Sequence, residues 1–343
     1  MRSTENPWRG EGLPEEGLAG APWPSIDSEA PARLLARCPA AGETPLVTVE
    51  GFGCTVWAKD ERGRMGLGSF KALGAAYVIA HAAAETGADD LSQALVGQTY
   101  VTASAGNHGL SVAAGARIFG ARSVIYLAET VPEGFAARLR EKGAEVVRAG
   151  ADYEASMAAA AEAARAHGWT LLSDSSWPGY FDIPHRLMEG YLAMAEEAAR
   201  QCPEPPTHIF LQAGVGGLAG ACAACFRQVW GDGPVIVVVE PEAAPALEAS
   251  ILAGKPVVAP GPVSNMGRLD CKEPSLIALK GLARDADGFA CVGDEEAAAI
   301  LPELAAQGLA TTPSGAAGVA ALKAANLPAE ARALVILSEA AEA

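Results

Sequence analysis

Ile209-Phe210-Leu211-Gln212-Ala213-Gly214-Val215-Gly216-Gly217-Leu218-Ala219-Gly220 passes from a short apolar run into a turn rich in glycine. The apolar run suits a buried strand, and the alanine-rich stretch that follows suits a helix. Glycines let consecutive backbone N–H groups approach an anion, and a helix N-terminus adds its positive end. No Walker lysine accompanies the loop, so this is a phosphate cradle made of backbone amides. Strand, glycine turn and helix in that order belong to an open α/β sheet.

Three other stretches carry chemistry. Gly66-Leu67-Gly68-Ser69-Phe70-Lys71 sets a lysine among small and apolar neighbours just before an alanine-rich helical run. Loss of ammonium solvation there is expected to lower the lysine pKa and expose a neutral amine that attacks carbonyls. Ser104-Ala105-Gly106-Asn107-His108-Gly109 ends an apolar run and opens a helix, a turn suited to a carboxylate. Thr311-Thr312-Pro313-Ser314-Gly315 offers a hydroxyl at another helix start, where Ser314 is either a ligand group or an N-cap.

A chain of 343 residues exceeds the roughly 250–300 at which one core stops growing, so two lobes are expected. Its 25 basic and 41 acidic residues give a net charge of −16. That balance argues against nucleic acid and anionic membranes as partners. No apolar run approaches the roughly 18–20 residues of a membrane span, and Met1 to Gly10 lacks a signal peptide's apolar core. A soluble, cytoplasmic protein is expected. Seven scattered cysteines fit reduced thiols better than a disulfide framework, and Cys222 and Cys225 read as helix packing rather than a metal site. No metal is expected.

The first 30 or so residues, rich in Pro, Gly and Glu, read as an arm around a neighbour or a disordered leader. Beyond Leu46, expected strands at Thr99–Ser104, Ser123–Leu127, Glu145–Arg148, Thr170–Ser173, His208–Gln212, Val235–Glu240, Gly288–Val292 and Leu334–Ser338 alternate with helical runs such as Tyr153–His167 and Glu295–Gln307. Such alternation implies parallel sheets with right-handed crossovers.

In this order the motifs resemble the pyridoxal-phosphate enzymes of the tryptophan-synthase-β-like class, fold type II. The likeness is strongest to the diaminopropionate ammonia-lyases. It rests on Lys59-Asp60-Glu61, Gly66 to Lys71, Gly106-Asn107-His108-Gly109, Ser173-Asp174-Ser175-Ser176-Trp177 and Gly179-Tyr180. It continues through Ile183-Pro184, Met188-Glu189-Gly190-Tyr191, Gln212 to Gly216 and Leu269 to Pro274. The resemblance implies a two-lobed α/β fold, each lobe an open, mainly parallel sheet flanked by helices. Residues 1–30 would form the arm, 31–81 with 190–343 the large cofactor-binding lobe, and 82–189 a small mobile lobe. The class is usually dimeric, so a homodimer is expected.

The resemblance also assigns roles. Lys71 would hold pyridoxal phosphate as a Schiff base and then act as a base at Cα. The amides of Gly214, Val215, Gly216, Gly217 and Leu218 would take the phosphate, Asn107 the phenolic oxygen and Ser314 the pyridine nitrogen. The carboxylate of an amino-acid substrate would sit on Ser104, Asn107 and His108, although His108 equally suits packing or capping. Asp174 is either a catalytic acid or base or the cap of a following turn. Two departures stand out. Ala105 replaces an aspartate that the ammonia-lyases use for the D-enantiomer, and Arg268-Leu269-Asp270-Cys271-Lys272-Glu273-Pro274 carries charges where they carry small residues. Arg268 is then a surface cation or the holder of a second substrate carboxylate. Three functions remain open: an ammonia-lyase acting on a 2,3-diamino acid such as L-2,3-diaminopropionate, a serine, threonine or 3-hydroxyaspartate dehydratase, and a catalytically silent cofactor-binding protein.

Overall fold

The computed structural model describes residues 1–341. Its strands are β1 (Arg2–Glu5), β2 (Leu46–Thr48), β3 (Thr55–Asp60), β4 (Thr99–Ala103), β5 (Arg122–Leu127), β6 (Glu145–Arg148), β7 (Thr170–Leu171), β8 (His208–Gln212), β9 (Val235–Pro241), β10 (Gly288–Val292) and β11 (Arg332–Leu337). They form two open sheets. The seven-stranded one has the order β1-β10-β9-β8-β11-β3-β2, and the four-stranded one β6-β5-β4-β7. Every pair is parallel except β1 with β10 and β2 with β3, at the two edges of the larger sheet.

The central strands are apolar on both faces because helices cover both faces. Along β8, Ile209 and Leu211 join the core beneath helix Gly217–Trp230, while Phe210 points the other way, toward Ala316, Ala317 and Val319 of helix Pro313–Ala325. This is the two-residue period of a strand. In the smaller sheet β4 is buried along its whole length.

Three expectations change. The first 30 residues pack on their own chain: Leu13, Leu18 and Ala21 are buried, and β1 adds an edge to the large sheet with Ser3 opposite Ala290. Glu295–Gln307 is two helices, Asp294–Ala299 and Leu301–Ala306, because Pro302 cannot continue the first. The strand leading to Asp174 stops at Leu171. All strands of the small sheet lie within the expected small lobe, but helix Asp182–Gln201 runs through its boundary at 189 without a break.

The topology fixes where chemistry can happen. Neighbouring β3, β11 and β8 are parallel, so Asp60, Leu337 and Gln212 end on one side of the large sheet. The loops after them carry Lys71, Glu339 and the glycine turn; from the small sheet, β4 leads to Ser104–Asn107 and β7 to Asp174. Ligands of open α/β sheets bind at such carboxyl ends.

Candidate active site

Lys71 lies in the short helical turn Phe70–Leu73, ahead of helix Ala75–Glu85. Two contacts hold that turn. Phe70 N donates to Ser338 O at 3.1 Å, and Gly190 admits Leu73 O so closely that a Cβ would fall 2.1 Å from it. Lys71 Nζ projects over the rings of Phe70 and Tyr191, 5.2 and 5.9 Å from their centroids. It ends 2.5 Å from Asp174 Oδ2.

This pair corrects the expected lysine pKa. Burial is the largest influence and pulls the Lys71 ammonium down, but Asp174 and Tyr191 together outweigh it and the net shift is upward. Burial likewise pushes the Asp174 carboxyl up, and the charge and hydrogen bond of Lys71, with His108 and the backbone, together hold it well below the usual carboxylate range. Asp174 is not a cap, since Ser173 Oγ accepts the turn's Ser175 N–H at 3.3 Å.

The glycine turn leads into helix Gly217–Trp230, whose N-cap Gly216 has φ +101° and no side chain to satisfy the first helical N–H groups. Those amides remain for an anion. Added side chains would close the cradle: a Cβ on Gly214 would lie 3.0 Å from Cys271 Sγ, and one on Gly216 2.9 Å from Ala278 Cβ. Cys222 and Cys225 are buried within the same helix.

Ser314 is not the N-cap of its helix; Thr312 Oγ1 fills that role, accepting from Gly315 N at 3.0 Å. Ser314 Oγ accepts from Arg268 N at 3.2 Å, so its own hydrogen is left to donate. Ser104 Oγ accepts from Gly106 N at 3.3 Å. His108 is tied to the backbone: Nε2 bonds Leu172 O at 2.9 Å, the neutral ring thereby has its only N–H in use, and burial lowers its pKa. The ring as placed offers a carboxylate no donor.

Arg268 is half-buried, not a surface cation, and meets a carboxylate of its own chain. Its Nε lies 2.8 Å from Glu339 Oε2, a residue the sequence reading passed over. Glu339 is an acid directly after the apolar strand β11, and a buried acid is costly unless paired. Like Asp174, Glu339 is an acid that follows an apolar run. Arg268, Asn265 and Thr311 to Ser314 line a cavity of 260 Å³.

Residues 38–339 match the family described as pyridoxal-phosphate dependent enzyme. The chain belongs to that family. The diaminopropionate ammonia-lyase of Salmonella typhimurium is 33% identical over 249 residues, covering 66% of this chain and 61% of that enzyme. The Escherichia coli K12 enzyme of the same name is 32% identical over 274 residues, or 74% of this chain and 69% of the other. A crystal structure of the E. coli enzyme with an aminoacrylate-PLP azomethine reaction intermediate superposes with a TM-score of 0.85 at 28% identity, covering 99% of this chain and 93% of that one. Pyridoxal phosphate is the family's cofactor, and this chain fits it. Lys71 would supply the amine, the uncapped glycine turn an anion cradle, and Ser314 a hydroxyl hydrogen that its bond from Arg268 N leaves to donate. Tyr191 OH, Ser69 Oγ and His108 Nδ1 are buried without hydrogen-bond partners among the described residues.

Proposed function

We propose that this pyridoxal-phosphate dependent enzyme is an ammonia-lyase for a 2,3-diamino acid such as L-2,3-diaminopropionate, releasing a 2-oxo acid and ammonia. The observation that carries the reading is the 2.5 Å contact between Lys71 Nζ and Asp174 Oδ2. Elimination needs a base at Cα and a proton source for the departing amine, and two groups sharing one proton at that distance provide both.

Lys71 holds the cofactor, the amides of Gly214 to Leu218 take its phosphate, Asn107 its phenolic oxygen and Ser314 its pyridine nitrogen. When bound, the cofactor supplies a carbonyl for amines and an electron sink next to Cα. Asp174 Oδ2 orients Lys71 Nζ, and the proton that Lys71 must lose to become a nucleophile passes to water. Released by the substrate amine, Lys71 Nζ takes the Cα proton, and Asp174 Oδ2 stabilises or delivers the proton that leaves with the β-amine. Ser104 and the Asn107 helix N-terminus orient the substrate carboxylate.

The test is the ratio of products. Diaminopropionate should give two ammonia per 2-oxo acid, because the β-amine and the α-amine both leave. A dehydratase acting on serine, threonine or 3-hydroxyaspartate gives one ammonia, and turnover of those alone would replace this reading. Residues 82–189 form the mobile small lobe in this proposal, closing over the site to exclude water. A cytoplasmic location fits the seven free cysteines. A homodimer fits Leu252, Val258 and Val263, exposed close together in sequence.

A further inference from the structure

Glu339 takes no part in the mechanism above, yet three separate segments converge on its carboxylate, which is only 5% exposed. Asn107 Nδ2 donates to Oε2 at 2.5 Å, Thr312 Oγ1 donates to Oε1, and Arg268 Nε lies 2.8 Å from Oε2. Its backbone is fixed as well. The carbonyl accepts from Thr311 Oγ1 at 2.5 Å, and the residue bridges to Ser69, two positions before Lys71.

Arg268 reaches the ligand side of the cleft. Its Nε lies 3.9 Å from the point where a Cβ on Gly106 would stand, against the loop that orients the substrate carboxylate. A planar guanidinium there is what a second carboxylate would need. Glu339 already meets it with a carboxylate of the protein's own.

We propose that Glu339 determines specificity by occupying Arg268 in place of a second substrate carboxylate, which restricts the site to monocarboxylic amino acids. This rests on the amino-acid lyase reading and narrows its substrate class. Both cations near the cleft, Lys71 and Arg268, have a carboxylate partner. An aspartate-like side chain entering there meets the charges of Glu339 and Asp174. The β-ammonium of a diamino acid meets the same two charges as attraction. Glu339 also acts on Asn107. A carboxylate only accepts, so it turns the amide's NH₂ toward itself and leaves the second hydrogen of Nδ2 for another acceptor.

The experiment titrates the holoenzyme with L-aspartate and with L-alanine, following the cofactor absorption band, in wild type, Glu339→Gln and Glu339→Gln/Arg268→Met. Glu339→Gln keeps the shape and removes the charge. The ratio of L-aspartate to L-alanine affinity should rise at least about tenfold in it, the scale of a charge-assisted hydrogen bond. Loss of Arg268 should cancel the rise. An unchanged ratio, or a rise that survives removal of Arg268, overturns the proposal. Arg268→Met alone gives an independent reading, since it keeps the Glu339 bonds to Asn107 and Thr312. The ratio should stay within about twofold of wild type, and a selective loss of L-aspartate would show that Arg268 already serves a second carboxylate. Neither ligand carries a β-amine or β-hydroxyl, so this ratio is separate from the ammonia assay on diaminopropionate, which alone decides the reading above.

Discussion

Lys71 Nζ and Asp174 Oδ2 lie 2.5 Å apart although 103 positions separate the two residues in sequence. The lysine comes from the loop after a strand of the large sheet and the aspartate from the loop after a strand of the small one. One contact therefore joins the two sheets at the point of chemistry. Lys71→Ala should abolish turnover and covalent attachment of the cofactor, measured by borohydride reduction and mass spectrometry. Asp174→Asn should keep that attachment and lose about 10²–10⁴ in kcat, the range for a general acid or base. A variant at Asp174 with wild-type kcat would remove it from the mechanism.

Both candidate proton-transfer groups reach the site together, and Ala105 in the facing loop cannot take a proton. A D-isomer presents its Cα–H away from the bases that serve the L-isomer. The kcat/KM for L-diaminopropionate should exceed that for the D-isomer at least about a hundredfold. Equal values, measured on resolved isomers, would refute the assignment of bases.

Gly216 at φ +101° has no room for a methyl group beside Ala278. Gly216→Ala should strain the turn by about 1–3 kcal/mol and weaken uptake of pyridoxal phosphate by roughly tenfold or more. Fluorescence titration of the apoprotein gives that value, with circular dichroism reporting whether the fold survives.

Glu240, fully buried on β9, accepts from Leu247 N and Glu248 N at 2.8 Å each. Burial still pushes its carboxyl up, to about 8, with nearby Glu248 adding to the rise. For a raised pKa the stabilisation is complete below the unfolded value of about 4.3 and is lost as pH rises through the folded one. Between those limits wild type should lose stability as pH rises. Glu240→Gln should lack that slope, so the difference in unfolding free energy should move in the variant's favour between about pH 5 and about pH 9 in urea titrations. A constant difference would mean that Glu240 is already ionised at the lower pH.

Arg64 is 2% exposed and bonds Glu61 Oε1 at 2.7 Å and Glu197 Oε2 at 2.6 Å, with Lys59 Nζ 2.7 Å from the same Glu197 oxygen. Arg64→Met removes the guanidinium that ion-pairs both Glu61 and Glu197 and should cost about 3–5 kcal/mol, the penalty for breaking a buried pair. The denaturant midpoint of the apoprotein measures it. A loss below about 1 kcal/mol would mean that water reaches the cluster.

Local features of the sequence predicted the parts of the site that act locally. The glycine turn was legible because only glycine accepts its backbone, and β8 because the apolar run Ile209-Phe210-Leu211 leads into the turn. Asp174 stood out as an acid after an apolar run, and the resemblance made it an acid–base partner for Lys71; nothing near Lys71 in sequence by itself points to residue 174. Glu339 was missed for the same reason: its three partners come from the Asn107, Arg268 and Thr312 segments. Lys59 and Glu61 marked the resemblance, while their buried partners Arg64 and Glu197 emerged only from the packing of Asp182–Gln201 against the Lys71 segment. The strand β1 was unreadable because an edge strand with polar residues has no hydrophobic period to show.

That edge strand has a consequence for biosynthesis. Ser3 pairs with Ala290, so β1 leaves the ribosome long before its partner exists. At about 5–20 residues per second the wait is on the order of 15–60 s. Through that interval β1 has no strand to pair with, and a chaperone that shields this segment during synthesis would raise the yield of folded protein more than one acting after release.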